Sequence, residues 1–257
     1  MTRQPPVTSH APPDRIDAID ALRGVAMLWM TVFHFCFDLN QFGHIQQDFY
    51  RDPVWTWQRS VIVSLFLLCA GLGQAVAAAQ GLSWPRFWRR WAQVAGCALL
   101  VTAGSWLMYP QSFIYFGVLH GLAVMLLMAR ISASWGRWLW PLGALALALP
   151  WAAQPLLTGP LAGIAPALNS PALNWLGLIT RKPVTEDYVP LLPWLGMLWW
   201  GMAAGQALLA KGWLQTMRVS GVAARLATLG RWSLSYYMLH QPVLIGTLMA
   251  LAWLVRP

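Results

Sequence analysis

The first long apolar stretch of the chain, "ALRGVAMLWMTVFHFCFDL", holds Arg23, His34 and Asp38, and Asp17 and Asp20 stand just before it. An ionisable side chain in a membrane helix costs about 2.5–3.5 kcal/mol on insertion scales, so each one is first read as functional. Eleven helical residues make roughly 1100° of rotation, which brings Arg23 and His34 to within about 20° of one face and about 16 Å apart along the axis. Asp38 follows His34 at i,i+4, where a carboxylate can accept the imidazole N–H and fix its tautomer. That is the arrangement a general base needs. The competing reading is a buried His–Asp pair that only locks helix packing.

Other segments add groups of the same kind. His120 in "YFGVLHGLAVMLL" falls about 10 Å below the outer surface by helix rise, near the depth of His34. A histidine satisfied by a neighbouring backbone carbonyl is the alternative there. His240 in "SLSYYMLHQPVLIG" precedes Pro242, which frees backbone carbonyls, and it is read as a kink residue before a catalytic one. The loop "RKPVTEDYVPLLPWLG", 181–196, puts Arg181, Lys182, Glu186, Asp187 and Tyr188 at a span mouth, as a lid with acceptor-binding groups or as a solvated loop. "SWPRFWRRW" interleaves Arg86, Arg89 and Arg90 with Trp. Its first reading is a topology anchor on anionic lipid. The sharper one is a phosphate and adenine site, since Arg suits phosphate and Trp offers a stacking face.

These residues need helices to hold them, and the composition supplies a membrane bundle. Of 257 residues 58% are hydrophobic and 10% charged, against about 25% charged in soluble domains. The 18 Trp suit the two membrane interfaces. The expected fold class is all-α: a polytopic transmembrane helix bundle of about seven spans, at 18–39, 58–80, 90–109, 113–130, 138–156, 190–210 and 233–255. The stretch 157–180, broken by Pro160, Pro166, Asn169, Pro171 and Asn174, is too irregular to face lipid and reads as interfacial or re-entrant. With seven spans, Arg51, Arg59, Arg181, Lys182 and Arg256 fall on one side and the other twelve of the 17 Lys and Arg on the other. The basic side is the inner one, so the N-terminus is expected in the cytoplasm of a multi-pass protein of a bacterial-type inner (plasma) membrane.

Residues 1–14 are Pro-rich and polar without an apolar core, and are expected to be a disordered cytoplasmic tail before a retained first span. Residues 15–257 are expected to form a single transmembrane domain. The net charge of +9 is spread between apolar segments, so no nucleic-acid partner is inferred. Cys36, Cys69 and Cys97 lie in apolar segments with no metal-like spacing, which argues against disulfides and against a metal site.

The order of several motifs carries a family resemblance. "RIDAIDALRG" followed by "HFCFDL", then "SLFLLCAGLG", "FGVLHGLAV", "DYVPLLPWLGMLWWGMAAG" and "LGRWSLSYYMLHQPVL", resembles the catalytic-domain family of heparan-alpha-glucosaminide N-acetyltransferase, within the wider transmembrane acyltransferases. The likeness runs from Arg15 to about Ile245, with 131–180 uninformative. It implies acyl transfer from cytoplasmic acyl-CoA, with acetyl-CoA as donor substrate, to a sugar amine or hydroxyl outside. Arg23 and His34 match the arginine–histidine pair of the wider group. In the lysosomal branch the position matching His34 is an asparagine and the catalytic histidine lies in the following loop, where this chain has His44 in "QFGHIQQDF". The chain also lacks that branch's luminal domain, so heparan sulfate is not carried over as substrate.

The reading that follows is an integral membrane O- or N-acyltransferase. His34 is the base, oriented by Asp38, with Arg23 near the inner mouth. Arg15, Arg23, Arg86, Arg89 and Arg90 hold the CoA phosphates. His120, Asp187 and Tyr188 line the acceptor site. Transfer is direct or runs through an acyl-histidine. Partners are membrane lipid and a glycan or other carbohydrate acceptor, with homo-oligomerisation left open. The alternative is a proton-coupled transporter, against which no inverted repeat shows in the hydropathy pattern. A non-catalytic scaffold is the third option.

Overall fold

The computed structural model describes residues 15–254; the expected tail at 1–14 and Arg256 lie outside them. Among the described residues the chain is helical: α1 Asp17–Gln41, α2 Pro53–Ala79, α3 Trp84–Met108, α4 Val118–Ile131, α5 Leu139–Thr158, α6 Ala165–Asn169, α7 Leu191–Ala210, α8 Trp213–Thr216, α9 Gly221–Arg231 and α10 Ser233–Leu254. The only pairing of extended backbone among them is an isolated parallel bridge between Phe116 and Tyr188.

Local chemistry sets the ends. Asp17 and Asp20 fill the first turn of α1, where the helix dipole favours negative charge. Asp52 caps α2 by accepting from the Val54 N–H at 2.7 Å, with Pro53 at the first helical position, the site where a missing N–H does no harm. Pro150 and Pro155 lie within α5. The chain then turns by 104° into α6. The irregular backbone beyond is met by side chains: Asn169 Oδ1 accepts from the N–H groups of Thr180 (2.9 Å) and Arg181 (3.2 Å), and the Asn174 carbonyl accepts from the Tyr188 hydroxyl (2.6 Å).

Four helices, α1, α2, α3 and α10, are long and apolar enough to cross a membrane, and the bent α5–α6 pair makes a fifth if it counts as one span. All seven expected segments are helical, but α4 has 14 residues, about 21 Å of rise, and α7 is interrupted at Leu192. The structure therefore supports four or five crossings by length and composition. α7 is the centre of the main core: Leu195, Leu198, Trp199, Met202 and Ala203 pack with Leu67 and Ala75 of α2, Met125 of α4 and Ala146 of α5. The α2–α7 contact is backbone-close, because a Cβ on Gly71 would meet the Leu198 carbonyl and one on Gly201 the Leu68 carbonyl. Small residues allow such approach where lipid supplies no hydrophobic drive.

The segment 211–231, expected as a basic loop, instead forms α8 and α9. Its mean hydropathy is too low for a span, yet α9 packs on α1, with Gly230 against the Asp20 carbonyl and Gly24 against the Leu226 carbonyl. Arg231 closes this contact by donating to Asp17 at 2.6 Å, with Asp20 at 3.9 Å. α10 then lies along α1. Thr31, His34 and Asp38 meet Tyr236, His240 and Gln241 in that order, so the first and last long helices run in the same direction.

Candidate active site

The polar residues of α1 and α10 form rungs between the two helices. Thr31 Oγ1 and the Tyr236 hydroxyl are 2.7 Å apart. One turn on, His34 Nδ1 and His240 Nε2 are 2.7 Å apart. Next, the Gln241 amide donates to Asp38 Oδ1 at 2.7 Å. Apolar packing of Met27, Met30, Phe33 and Phe49 beneath α1 sets the face that carries these groups. Aromatic rings fix the imidazoles: Phe33 stands edge-on to His34 at 5.8 Å, and Tyr236 is stacked with His240 at 6.0 Å.

This arrangement corrects one expectation. Asp38 is not the hydrogen-bond partner of His34. Spacing of i,i+4 brings two side chains to the same face, but here α10 lies against that face and offers each a closer partner. Sequence reasoning placed His240 at a kink beside Pro242 and left it out of the site. Its only signal was a second histidine at a polar position of an apolar helix, and nothing in the sequence tied it to His34, 206 residues away.

Asp38 is 3% exposed, and its Oδ2 has no hydrogen-bond partner among the described residues; neither does Gln241 Oε1. The Gln241 NH2 is spent on Asp38 Oδ1, so Gln241 Oε1 is a bare acceptor beside the second orphan oxygen, Asp38 Oδ2. Buried acceptors without donors are rare, and the pair is suited to a ligand that brings N–H or O–H groups.

At the other end, Arg23 donates to Asp20 Oδ1 at 2.7 Å, which aims the guanidinium. Arg231 of α9 completes a chain of alternating charge with the "DAIDALRG" residues of α1, Asp17–Arg231–Asp20–Arg23. Arg23 and Arg90 both line a cavity of about 310 Å³ whose other walls include Phe66, Gln74, Trp91, Ser233 and Tyr237. The Trp91 N–H is taken by the Ala123 carbonyl. Arg15, Arg86 and Arg89 are exposed and do not line it. Tyr237 lines the cavity, and its backbone carbonyl is 2.7 Å from His240 Nδ1.

The expected acceptor residues lie together around the start of α4. Asp187 Oδ2 accepts from the Val118 N–H at 2.8 Å, capping the helix as carboxylates do. It sits where a Cβ on Gly117 would have to be. Tyr188 donates its hydroxyl to the Asn174 carbonyl at 2.6 Å. His120 has both nitrogens engaged: Nδ1 accepts from the Gly117 N–H at 3.2 Å, so Nε2–H donates to Thr102 Oγ1 at 2.9 Å, and that hydroxyl donates to the Ile114 carbonyl. Asp187 is within electrostatic reach of Tyr237. His44 lies in the turn after α1, apart from the rungs.

Desolvation pushes the Asp187 carboxyl above the usual carboxylate range, against the opposing pull of the Val118 N–H and of Arg59 and Lys182. Burial, then the Glu186 charge, pushes the Tyr50 hydroxyl up to about 12. A carboxyl raised by folding contributes stability below its unfolded pKa and loses it as pH rises through the folded value. Asp187→Asn keeps an acceptor for Val118 but carries no charge. Its thermal midpoint is expected to equal or exceed that of the wild type at pH 7, and the difference to vanish near pH 3, measured by intrinsic fluorescence in detergent.

Among the described residues no group of three or more His, Cys, Asp or Glu side chains is placed to hold a metal ion. No curated protein and no solved structure matches the chain significantly. The family model described as "Heparan-alpha-glucosaminide N-acetyltransferase, catalytic" matches residues 15–242, from the first arginine of the α1 motif to the proline just past the His240–Gln241 rungs. That span covers most of the chain, and the protein belongs to the heparan-alpha-glucosaminide N-acetyltransferase catalytic family.

Proposed function

We propose that this protein is a multi-pass membrane acyltransferase that takes an acetyl group from cytoplasmic acetyl-CoA and passes it to an amine or hydroxyl of a carbohydrate on the outer side. The observation that carries the reading is the line from Arg23 and Arg90, through the cavity, to Tyr237 and the His34–His240 pair. Family membership supplies the reaction class. The parallel course of α1 and α10 needs an odd number of crossings between the end of α1 and the start of α10, a parity that seven spans meet, with α4 and α7 completing the count and residues 15–257 acting as one unit. The basic side then faces the cytoplasm of a plasma membrane.

At about 310 Å³ the cavity is at the small end of ligand pockets. It suits a slender pantetheine arm rather than a whole nucleotide. Arg23 and Arg90 would hold phosphate at its inner end, with Arg15, Arg86 and Arg89 outside the mouth. Arg presents a planar fork matched to phosphate oxygens. At the other end His34 takes the proton of the attacking O–H or N–H as the new bond to the thioester carbon forms. When the C–S bond breaks, the same proton returns to the departing thiolate. Asp38 Oδ2 and Gln241 Oε1 accept hydrogen bonds from the acceptor, and Asp187 and Tyr188 shape the entrance where His120 holds the loop. Surrounding lipid and a glycan acceptor are the partners this reading requires.

The test is turnover of labelled acetyl-CoA by purified protein in proteoliposomes, with amino sugars and neutral sugars as acceptors. Transfer of label to a sugar is expected. In Arg90→Ala the KM for acetyl-CoA is expected to rise about tenfold with kcat little changed, the loss of one charge-assisted hydrogen bond of about 1.5 kcal/mol. An unaltered KM would remove Arg90 from the donor site. Absence of any acetyl transfer, with solute uptake driven by a pH gradient instead, would favour a carrier.

A further inference from the structure

We infer that His240 is the positioning residue of the base: it fixes the tautomer of His34 so that Nε2 of His34 carries the lone pair. The geometry stands by itself, while its catalytic consequence rests on the acyl-transfer reading above.

The argument follows donors and acceptors. The Tyr237 carbonyl can only accept, and it lies 2.7 Å from His240 Nδ1, so that nitrogen bears the hydrogen. In a neutral imidazole the other nitrogen is then a bare acceptor. His240 Nε2 therefore accepts, and across the 2.7 Å contact His34 Nδ1 must be the donor. His34 is left with its lone pair on Nε2. The one rival assignment makes His240 a cation with both nitrogens protonated. His240 is 8% exposed, and no carboxylate is paired with it among the described residues, since Asp38 meets Gln241. A buried cation without a partner is strongly disfavoured, so the neutral form holds.

The second histidine therefore does for His34 what a carboxylate was expected to do, and without adding a charge inside the bundle. Ring planes 18° apart, with Tyr236 stacked on His240 at 4°, hold the pair in register. When His34 Nε2 receives a proton, the Nδ1–H stays bonded to His240, whose own Nδ1–H faces the Tyr237 carbonyl. Positive charge arising on His34 thus keeps its hydrogen bond to a preset acceptor. Pro242 two residues on keeps α10 from being an unbroken ladder next to this chain of acceptors.

The full-length protein labelled with ¹⁵N-histidine in lipid nanodiscs reads the tautomer directly, with His34→Ala identifying the His34 signals. The wild type is expected to show neutral His34 protonated at Nδ1 and bare at Nε2. In His240→Ala that pattern is lost, and kcat for acetyl transfer falls at least about 10²-fold, the scale of general-base catalysis, with KM for acetyl-CoA within about threefold. His240→Gln puts an amide oxygen where Nε2 was, so it can accept from His34. It is expected to restore the Nδ1–H pattern and bring kcat to within about tenfold of the wild type. Protonation of wild-type His34 at Nε2, or equal loss of kcat in folded His240→Gln and His240→Ala, would overturn the assignment. If the wild type shows the expected tautomer but transfers no acetyl group, the positioning stands and the acyl-transfer reading falls.

Discussion

Replacing His34 with alanine is expected to abolish acetyl transfer while the protein stays folded. One nitrogen of His34 is spent on His240, and in the proposed mechanism the other is the base for the acceptor. General-base catalysis contributes about 10²–10⁴-fold, and kcat should fall by that much or more. Folding should survive, because α1 is held by Met27, Met30 and Phe33 on its apolar side and by Gly24 against α9. Labelled acetyl-CoA in proteoliposomes gives the rate, and the elution profile in detergent gives the fold. Wild-type turnover in a well-folded His34→Ala protein would remove this histidine from the chemistry and turn attention to His44.

The largest structural effect is expected at Gly230. A Cβ there would meet the Asp20 carbonyl oxygen and come to 3.0 Å from the Gly24 amide nitrogen. Both obstacles are backbone and cannot rotate away. Overpacking of a core by side chains costs about 1–3 kcal/mol, and a clash with two backbone groups should exceed that. In Gly230→Leu, α9 must leave α1. Arg231 then parts from Asp17 and Asp20, and Asp20 no longer aims Arg23 from a fixed place. The thermal midpoint should drop by about 10 °C, since 1 kcal/mol is worth about 2–4 °C at this size, or the protein should fail to elute as a single species. Gly246→Leu is the control, because a Cβ at Gly246 meets nothing within 4 Å. Equal behaviour of the two variants would show that the α1–α9 contact is not what holds this end together.

Much of the architecture was legible in the residues. Each apolar segment of about 20 residues became a helix, because a chain of that composition has no other way to satisfy its backbone in lipid. The run of Pro and Asn at 157–180 announced the bend after α5, and the structure adds that the Asn169 side chain meets the backbone N–H groups of Thr180 and Arg181. α9 was not legible as a packed helix. Arg225 and Arg231 gave it the look of a loop, and only the glycines at 24 and 230 show why it can press so closely on α1. The site was legible as a set of residue types. Its wiring was not, because i,i+4 spacing says which side chains share a face and is silent on what that face meets. His34 and Asp38 were paired with each other on that basis, whereas α10 supplies His240 and Gln241. For His120 the sequence held both options open, and the Gly117, Thr102 and Ile114 contacts give it a bracing position.

The rungs between α1 and α10 also bear on how the protein is made. His34 and Asp38 belong to α1, yet their partners belong to α10, 206 and 203 residues later. Until the ribosome has delivered α10, an imidazole and a carboxyl group wait in a half-built bundle without the groups that meet them. The centre is therefore completed only once α10 has been made and packed on α1. A nascent chain cut short before Gln241 would carry two exposed polar lesions by which a membrane protease or chaperone could tell it from the finished product.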